Sequence, residues 1–128
     1  MSLPVIDRGE LELMTGGDTP LVRELIGIFQ HQAQLWRPLL DPRGEAETWA
    51  DAAHTIKGAA RALGALKLAE ACAVAEALHK RGDARPAEVA LALNDVRDCL
   101  SEALEAAARL DYQLAVSGDF KASKAANS

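Results

Sequence analysis

The sequence predicts an all-α fold, an antiparallel four-helix bundle with a short extra N-terminal helix. Alanine accounts for 26 of the 128 residues and aromatic residues for only five, a composition that favours closely packed helices over strands. Apolar residues recur at intervals of three and four along four stretches of the chain, which is typical of amphipathic helices. Short breaks containing glycine or proline separate these stretches, so the helices must bury their apolar faces against one another.

Two helices are predicted in the first third of the chain. A short helix runs from Asp7 to Met14 and is closed by Gly16-Gly17. A long helix begins at Asp18-Thr19-Pro20, where a capping side chain precedes a proline that the first turn of a helix tolerates. The long helix continues to Leu40, and its apolar stripe consists of Val22, Leu25, Ile26, Phe29, Ala33, Trp36 and Leu40.

The third and fourth helices are predicted as a hairpin. Asp41-Pro42-Arg43-Gly44 is a turn, and the third helix extends from about Glu45 to Leu63. Gly64 ends or kinks this helix, and the fourth helix runs from about Leu66 to Lys80. Arg81-Gly82-Asp83 stops the fourth helix.

The last helix begins near Pro86 and extends to Leu110 or Leu114. Residues 117–128 are small and polar without helical periodicity, and we expect a disordered tail there. The bundle is therefore expected to occupy residues 1–116 as one domain, because the chain is too short for two enzymatic domains.

The chain is acidic, with 14 basic and 19 acidic residues and a net charge of −5. This balance argues against non-specific binding to nucleic acid, which requires clustered positive charge. No run approaches about 18 apolar residues and the first residues lack the pattern of a signal peptide, so we expect a cytoplasmic protein without a membrane partner. Cys72 and Cys99 have no metal or redox spacing and are interpreted as small buried hydrophobes.

The candidate site lies on one side of the third helix. At about 100° per residue, His54, Lys57, Gly58 and Arg61 fall on the side opposite the apolar stripe. We therefore expect His54 in solvent, with the exposed ammonium of Lys57 one turn away to stabilise charge on the imidazole. Gly58 costs about 1 kcal/mol relative to alanine inside a helix, and its missing side chain leaves room for another molecule to approach.

Glu76 on the fourth helix is expected to contact this histidine. If Gly64-Ala65 is the turn of an antiparallel hairpin, residues whose numbers sum to about 130 lie at the same height, which pairs His54 with Glu76. A carboxylate in that position accepts a hydrogen bond from Nδ1 of the imidazole. Nε2 is then unprotonated, directed outward and nucleophilic.

The segment around His54 is locally positive. Between Ala52 and Ala69 there are three basic residues, Lys57, Arg61 and Lys67, and no acidic residue, whereas the rest of the chain has 11 basic and 19 acidic residues. The pattern indicates a docking surface for an acidic or phosphorylated partner, and a solvated face without a partner is the alternative.

The residues around His54 resemble the histidine-containing phosphotransfer (Hpt) domain family, including the phosphoacceptor domain of chemotaxis histidine kinases. The matching run is Ala53-His54-Thr55-Ile56-Lys57-Gly58-Ala59-Ala60, followed by Gly64-Ala65, Leu68, Cys72 and Glu76. The resemblance covers roughly residues 6–110 and includes Phe29 on the preceding helix. It implies a four-helix bundle whose exposed histidine takes a phosphoryl group from an aspartate of one receiver domain and passes it to an aspartate of another.

The resemblance also implies a role for each site residue. His54 is the phosphoacceptor, with Lys57 as the nearby cation. Gly58 is the opening for the partner, and Glu76 orients the imidazole. The implied partners are the receiver domains of a hybrid histidine kinase and of a response regulator, which hold the Mg²⁺, so no cofactor is expected on this chain. We expect a monomeric phosphocarrier without autonomous catalytic activity.

Two features depart from the family pattern. Many members carry serine after the Lys-Gly pair, where this chain has Ala59-Ala60; the helical wheel points both alanines inward. The sequence also has no glycine-rich nucleotide-binding segment, so the chain is not expected to phosphorylate itself from ATP. A phosphoacceptor domain excised from a chemotaxis-type kinase, and an adaptor that binds a receiver domain but never carries phosphate, are the alternatives.

A di-metal enzyme is a third alternative. Asp51 and His54, and Glu76 and His79, form two acid-x-x-His pairs, and carboxylate-bridged di-metal bundles use two Glu-x-x-His pairs that project inward. The helical wheel turns His54 outward and Lys57 would repel a cation, so no metal site is expected.

Overall fold

The computed structural model describes residues 3–118 and residue 120. This part of the chain forms five α-helices and no strand. The helices are α1 (Arg8–Thr15), α2 (Thr19–Trp36), α3 (Ala46–Leu63), α4 (Leu66–Arg81) and α5 (Pro86–Ser117). The predicted all-α fold, with a short helix ahead of the bundle, is confirmed. None of the described helices is both long enough and apolar enough to span a membrane.

Helices α2 to α5 form the bundle, each packed against the next in chain order, with α5 packed against α2. Two contacts in each of three helix pairs show that the paired helices are antiparallel, because residue numbers rise along one helix as they fall along the other. The contacts are His54–Glu76 and Glu47–His79 between α3 and α4, Lys67–Glu102 and Arg81–Glu88 between α4 and α5, and Arg23–Asp111 and Arg37–Ser101 between α2 with its C-cap and α5. α3 and α5 therefore lie diagonally across the bundle.

The second helix begins as predicted and ends earlier than predicted. Asp18 caps α2 by accepting a hydrogen bond from the backbone N–H of Leu21 at 3.0 Å. The α-helix ends at Trp36 rather than at Leu40, and a single 3-10 turn follows over Arg37–Leu39. Pro38 explains the change because a proline inside an α-helix removes a hydrogen bond and clashes with the carbonyl four residues before it.

Alanine dominates the buried surface of α3 and α4. Seven of the buried residues of the two helices are alanines: Ala50, Ala52, Ala53, Ala60, Ala69, Ala71 and Ala75. The distance between packed helices depends on the size of the side chains at the contact, so these small residues let α3 and α4 approach closely. Close approach brings the functional groups of one helix within reach of the other.

The turn between α3 and α4 packs against the N-terminal segment. Gly64 has a left-handed backbone, with φ of 76°, and its carbonyl accepts a hydrogen bond from the N–H of Asp7 at 2.7 Å. A Cβ at Gly64 would lie 2.6 Å from the carbonyl oxygen of Asp7. Only glycine meets both requirements, so this residue sets the geometry of the hairpin that carries the site.

The C-terminal part of the chain differs from the expected boundary. α5 ends at Ser117 and is capped by Gly118, which has φ of 70°. Phe120 is fully buried, and its backbone N–H donates to Oγ1 of Thr19 at 2.7 Å. The prediction that residues 117–128 form a disordered tail is therefore wrong for Ser117 and Phe120. Residue 119 and residues 121–128 lie outside the described residues.

Candidate functional site

His54 lies on the solvent side of α3. Ala53 and Ile56 of the same helix are fully buried, and this orientation leaves 72% of the His54 side chain exposed. An exposed imidazole held on a rigid helix is accessible to another protein without rearrangement of the bundle.

Glu76 contacts His54 across the hairpin, at the height expected from the turn. Nδ1 of His54 lies 2.9 Å from Oε2 of Glu76, and only 11% of the Glu76 side chain is exposed. An ionised carboxylate only accepts hydrogen bonds, so this contact requires a proton on Nδ1. In the neutral ring the lone pair is then on Nε2.

Lys57 differs from its expected position in solvent. Its Nζ lies 2.5 Å from Oε1 of Glu76, and only 17% of its side chain is exposed. The prediction of an exposed Lys57 is therefore wrong. The long aliphatic stem of lysine explains the difference, because it can follow the neighbouring helix and place the ammonium on a partly buried carboxylate.

The ammonium of Lys57 and the imidazole of His54 together keep Glu76 ionised. Burial raises the pKa of the Glu76 carboxyl, but the hydrogen bonds and charges of Lys57 and His54 outweigh burial, and the pKa lies below its ordinary value. Glu76 therefore presents one carboxylate oxygen to the ammonium of Lys57 and the other to the imidazole. We call these three residues the site triad.

Gly58 and Arg61 are exposed on α3, about one and two helical turns after His54. A Cβ at Gly58 would meet no atom within 4 Å, so packing within the chain does not require glycine at this position. Among the residues that the structure describes, Arg61 has no ion-pair partner. Both residues remain available to a partner.

Lys67 does not join the site. Nine residues separate it from Glu76 along α4, which corresponds to about 13 Å and two and a half helical turns, so the two side chains lie on opposite faces. Lys67 pairs with Glu102 of α5 at 2.8 Å, and the hydrogen bond and charge of Glu102 raise the pKa of Lys67. The prediction of a single positive patch that includes Lys67 is therefore corrected.

A shallow depression of about 180 Å³ lies beside His54 and was not expected from the sequence. It is lined by Ala50, Asp51, His54, Glu76, His79 and Lys80. Lys80 follows Glu76 by one turn, and this spacing is the signal that could have identified it. The ring of His79 packs edge-on against Trp49 and its Nε2 lies 3.6 Å from Oε1 of Glu47.

An apolar groove between α2 and α3 was also missed. It is lined by Leu25, Ile28, Phe29, Gln32, Trp36, Ala59, Ala62 and Leu63. Ala59 is half-buried at the wall of this groove rather than inside the core. A second apolar stripe on α2, formed by Leu21, Leu25, Ile28 and Leu35 at helical spacing, could have indicated the groove.

Neither metal nor thiol chemistry is supported by the arrangement. Across residues 3–118 and 120, no group of three or more His, Cys, Asp or Glu side chains is placed to hold a metal ion. Cys72 and Cys99 are buried, and burial raises their thiol pKa values to about 12 and about 11. Thiols with such pKa values stay protonated and unreactive near neutral pH.

Comparison with known proteins identifies two similarities. The family model for the Hpt domain matches residues 21–110 of this chain. The crystal structure of histidine phosphotransferase ShpA from Caulobacter crescentus matches with 35% sequence identity and a TM-score of 0.69. That match covers 90% of this chain and 98% of the ShpA chain. A comparison with curated proteins gives no match.

Proposed function

Because the chain belongs to the Hpt domain family, it is a histidine phosphotransfer protein of a two-component phosphorelay, and we propose that His54 is its phosphoacceptor. One observation carries this assignment: the exposed imidazole of His54 donates a hydrogen bond from Nδ1 to the largely buried carboxylate of Glu76, at 2.9 Å. The other nitrogen, Nε2, is the nucleophile.

The proposed reaction is the attack of His54 Nε2 on the phosphorus of an aspartyl phosphate in a receiver domain. The N–P bond forms as the P–O bond to the aspartate breaks, and the aspartate leaves as a carboxylate. Nδ1 keeps its proton throughout, so no separate base is needed. The ring gains positive charge when Nε2 bonds to phosphorus, and the Glu76 carboxylate stabilises that charge. Transfer to a second receiver domain is the reverse reaction.

The chain is proposed to act as a carrier and not as an autonomous enzyme. Phosphoryl transfer depends mainly on positioning and on electrostatic stabilisation of the equatorial oxygens. The receiver domain supplies the aspartate and the Mg²⁺, and this chain supplies an oriented imidazole. We therefore expect no turnover in the absence of a phosphorylated partner.

Lys57 is proposed to act through Glu76. Its ammonium binds one carboxylate oxygen at 2.5 Å, while the imidazole binds the other. The ion pair keeps the carboxylate ionised and fixes its orientation, which in turn holds the imidazole. Lys57 is thus a positioning residue of the site triad.

The receiver domains are proposed to dock on the exposed side of α3 and on the groove between α2 and α3. Ile28 is 51% exposed at the wall of this groove, and exposed apolar surface beside polar groups is typical of interaction sites. Gly58 lets the partner backbone approach His54, and Arg61 supplies positive charge for the acidic site of a receiver domain. Lys67 is not part of this surface.

Phosphotransfer profiling tests the assignment of His54. Radiolabelled hybrid histidine kinases, each with its receiver domain, are mixed with wild-type protein, with His54→Gln and with His31→Gln. His31 is an exposed histidine on α2 and serves as the matched control. We expect acid-labile label on the wild type and on His31→Gln only. Labelling of His54→Gln at the wild-type rate would overturn the assignment, and labelling of no variant would favour the adaptor.

A further inference from the structure

The depression beside His54 contains a lysine that the proposed mechanism leaves unused. Lys80 lines this depression together with His54 and is exposed. Within the described part of the chain, no carboxylate lies within ion-pair distance of its ammonium. An unneutralised cation therefore borders the imidazole that carries the phosphoryl group.

Lys57 is poorly suited to bind that phosphoryl group. Its ammonium is already 2.5 Å from Glu76 in a largely buried position. Movement toward a phosphoryl group would break this ion pair and leave the Glu76 carboxylate with one unpaired buried oxygen, which is costly. Lys80 has no ion pair in the described part of the chain, so its ammonium can bind a phosphoryl group without losing an existing partner.

The position of Lys80 along the hairpin is also suitable. The antiparallel register that pairs His54 with Glu76 puts Lys80 level with Ala50, one turn of α3 from His54 and about 6 Å along the helix axis. The four-carbon stem of lysine is flexible. Its ammonium can therefore reach the oxygens of a group bonded to His54 Nε2.

We propose that the ammonium of Lys80 binds the phosphoryl group carried by His54. The inference rests on the proposed function, because it requires phosphorylation of His54. A phosphoryl group brings roughly −1.5 to −2 charges near neutral pH, and Lys80 is the cation that neutralises part of this charge. The carboxylate of Asp51 lines the same depression and repels the phosphoryl group. The imidazole of His79 faces Glu47 instead, with Nε2 at 3.6 Å from Oε1.

The contact between Lys80 and the phosphoryl group is tested through the pKa of the phosphoryl group, which a nearby cation lowers. The proteins are phosphorylated with phosphoramidate, a small donor of phosphoryl groups to imidazole, and the ³¹P chemical shift of the phosphohistidine is followed against pH. In Lys80→Gln the pKa of the phosphoryl group is expected to rise by about 0.2 to 0.7 pH unit, the equivalent of an exposed charge pair. In Asp51→Asn it is expected to fall.

Two controls make the measurement specific. Arg109→Gln removes one exposed positive charge from α5, diagonally across the bundle, and is expected to leave the phosphoryl pKa unchanged. His54→Gln is expected to lack the ³¹P signal. Equal phosphoryl pKa values in the wild type and in Lys80→Gln would overturn the assignment of Lys80. A protein that phosphoramidate labels, but no receiver domain does, would overturn the proposed function instead.

Discussion

The two hairpins that share α4 use similar ion pairs in different surroundings. Between α3 and α4, Glu76 and Lys57 expose only 11% and 17% of their side chains and also hold His54. Between α4 and α5, Lys67 and Glu102 form a simple pair with 41% and 43% exposure. Exposed ion pairs contribute little to stability, whereas a buried charge is costly without its partner. Glu76 therefore differs from Glu102 in two ways: it is largely buried, and it binds His54 as well as a lysine.

The largest expected effect comes from removing the shared carboxylate. Glu76→Ala leaves the ammonium of Lys57 largely buried without a partner, and we expect a loss of about 1–3 kcal/mol in the free energy of unfolding. Transfer to His54 is expected to slow about a hundredfold, as when a reacting group is misplaced by about 1 Å. Urea unfolding and single-turnover phosphotransfer measure the two effects. Glu102→Ala is the matched control, and equal losses in both variants would contradict the distinction between the two hairpins.

Removal of the lysine of the site triad is expected to have a smaller effect. Lys57→Met keeps most of the aliphatic stem but deprives Glu76 of one hydrogen bond, worth about 1 kcal/mol, so transfer should slow by about fivefold to tenfold. Lys67→Met removes a lysine from the exposed pair and is expected to transfer at the wild-type rate. Slower phosphotransfer in Lys67→Met, with the wild-type rate in Lys57→Met, would contradict the role of Lys57 as the positioning residue.

The charge of Glu76 is expected to appear in the pH dependence of stability. Because Lys57 and His54 hold the folded pKa of Glu76 below its ordinary value of 4.5, the unfolded chain binds more protons between the two pKa values. The stabilisation is complete above about pH 5 and is lost as the pH falls through the folded pKa. The difference in unfolding free energy between wild type and Glu76→Gln should therefore decrease over this range. A difference that does not change with pH would contradict an ionised, paired Glu76.

The smallest expected effect concerns Gly58. Because a Cβ at this position meets open space, Gly58→Ala is expected to stabilise the helix by about 0.5–1 kcal/mol while it weakens docking of the receiver domain. Gly27 of α2 also has open space around an added Cβ and does not line the groove, so Gly27→Ala should give the stabilisation alone. Thermal unfolding and titration with a receiver domain separate the two effects, and equal receiver affinity in both variants would remove Gly58 from the docking surface.

The contact between His54 and Glu76 was predictable from the sequence because it depends on few quantities. A hairpin with a glycine turn fixes which residues share a height, and the helical period fixes which of them face each other. Gly64 satisfies the first condition, since its left-handed backbone and its contact with Asp7 allow no other residue. The fold class followed in the same way from the periodicity of the apolar residues.

The surroundings of the lysines were not predictable by the same reasoning. A helical wheel gives the direction in which a side chain leaves the helix, but not the partner that a long stem reaches. Lys57 therefore appeared exposed although it binds Glu76, and Lys67 appeared available although Glu102, 35 positions later, neutralises it. Phe120 was missed because a single aromatic residue in a polar segment has no periodicity to indicate its burial.

The most direct test of the central claim is to identify the nitrogen of His54 that carries the phosphoryl group. The protein is labelled with ¹⁵N in its histidines, phosphorylated by a receiver domain, and studied by heteronuclear NMR that detects coupling between ³¹P and the ring nitrogens. We expect phosphorus on Nε2 and a proton on Nδ1, because Glu76 binds Nδ1 at 2.9 Å. Phosphorus on Nδ1 would contradict the proposal that Glu76 sets the orientation of the imidazole for transfer.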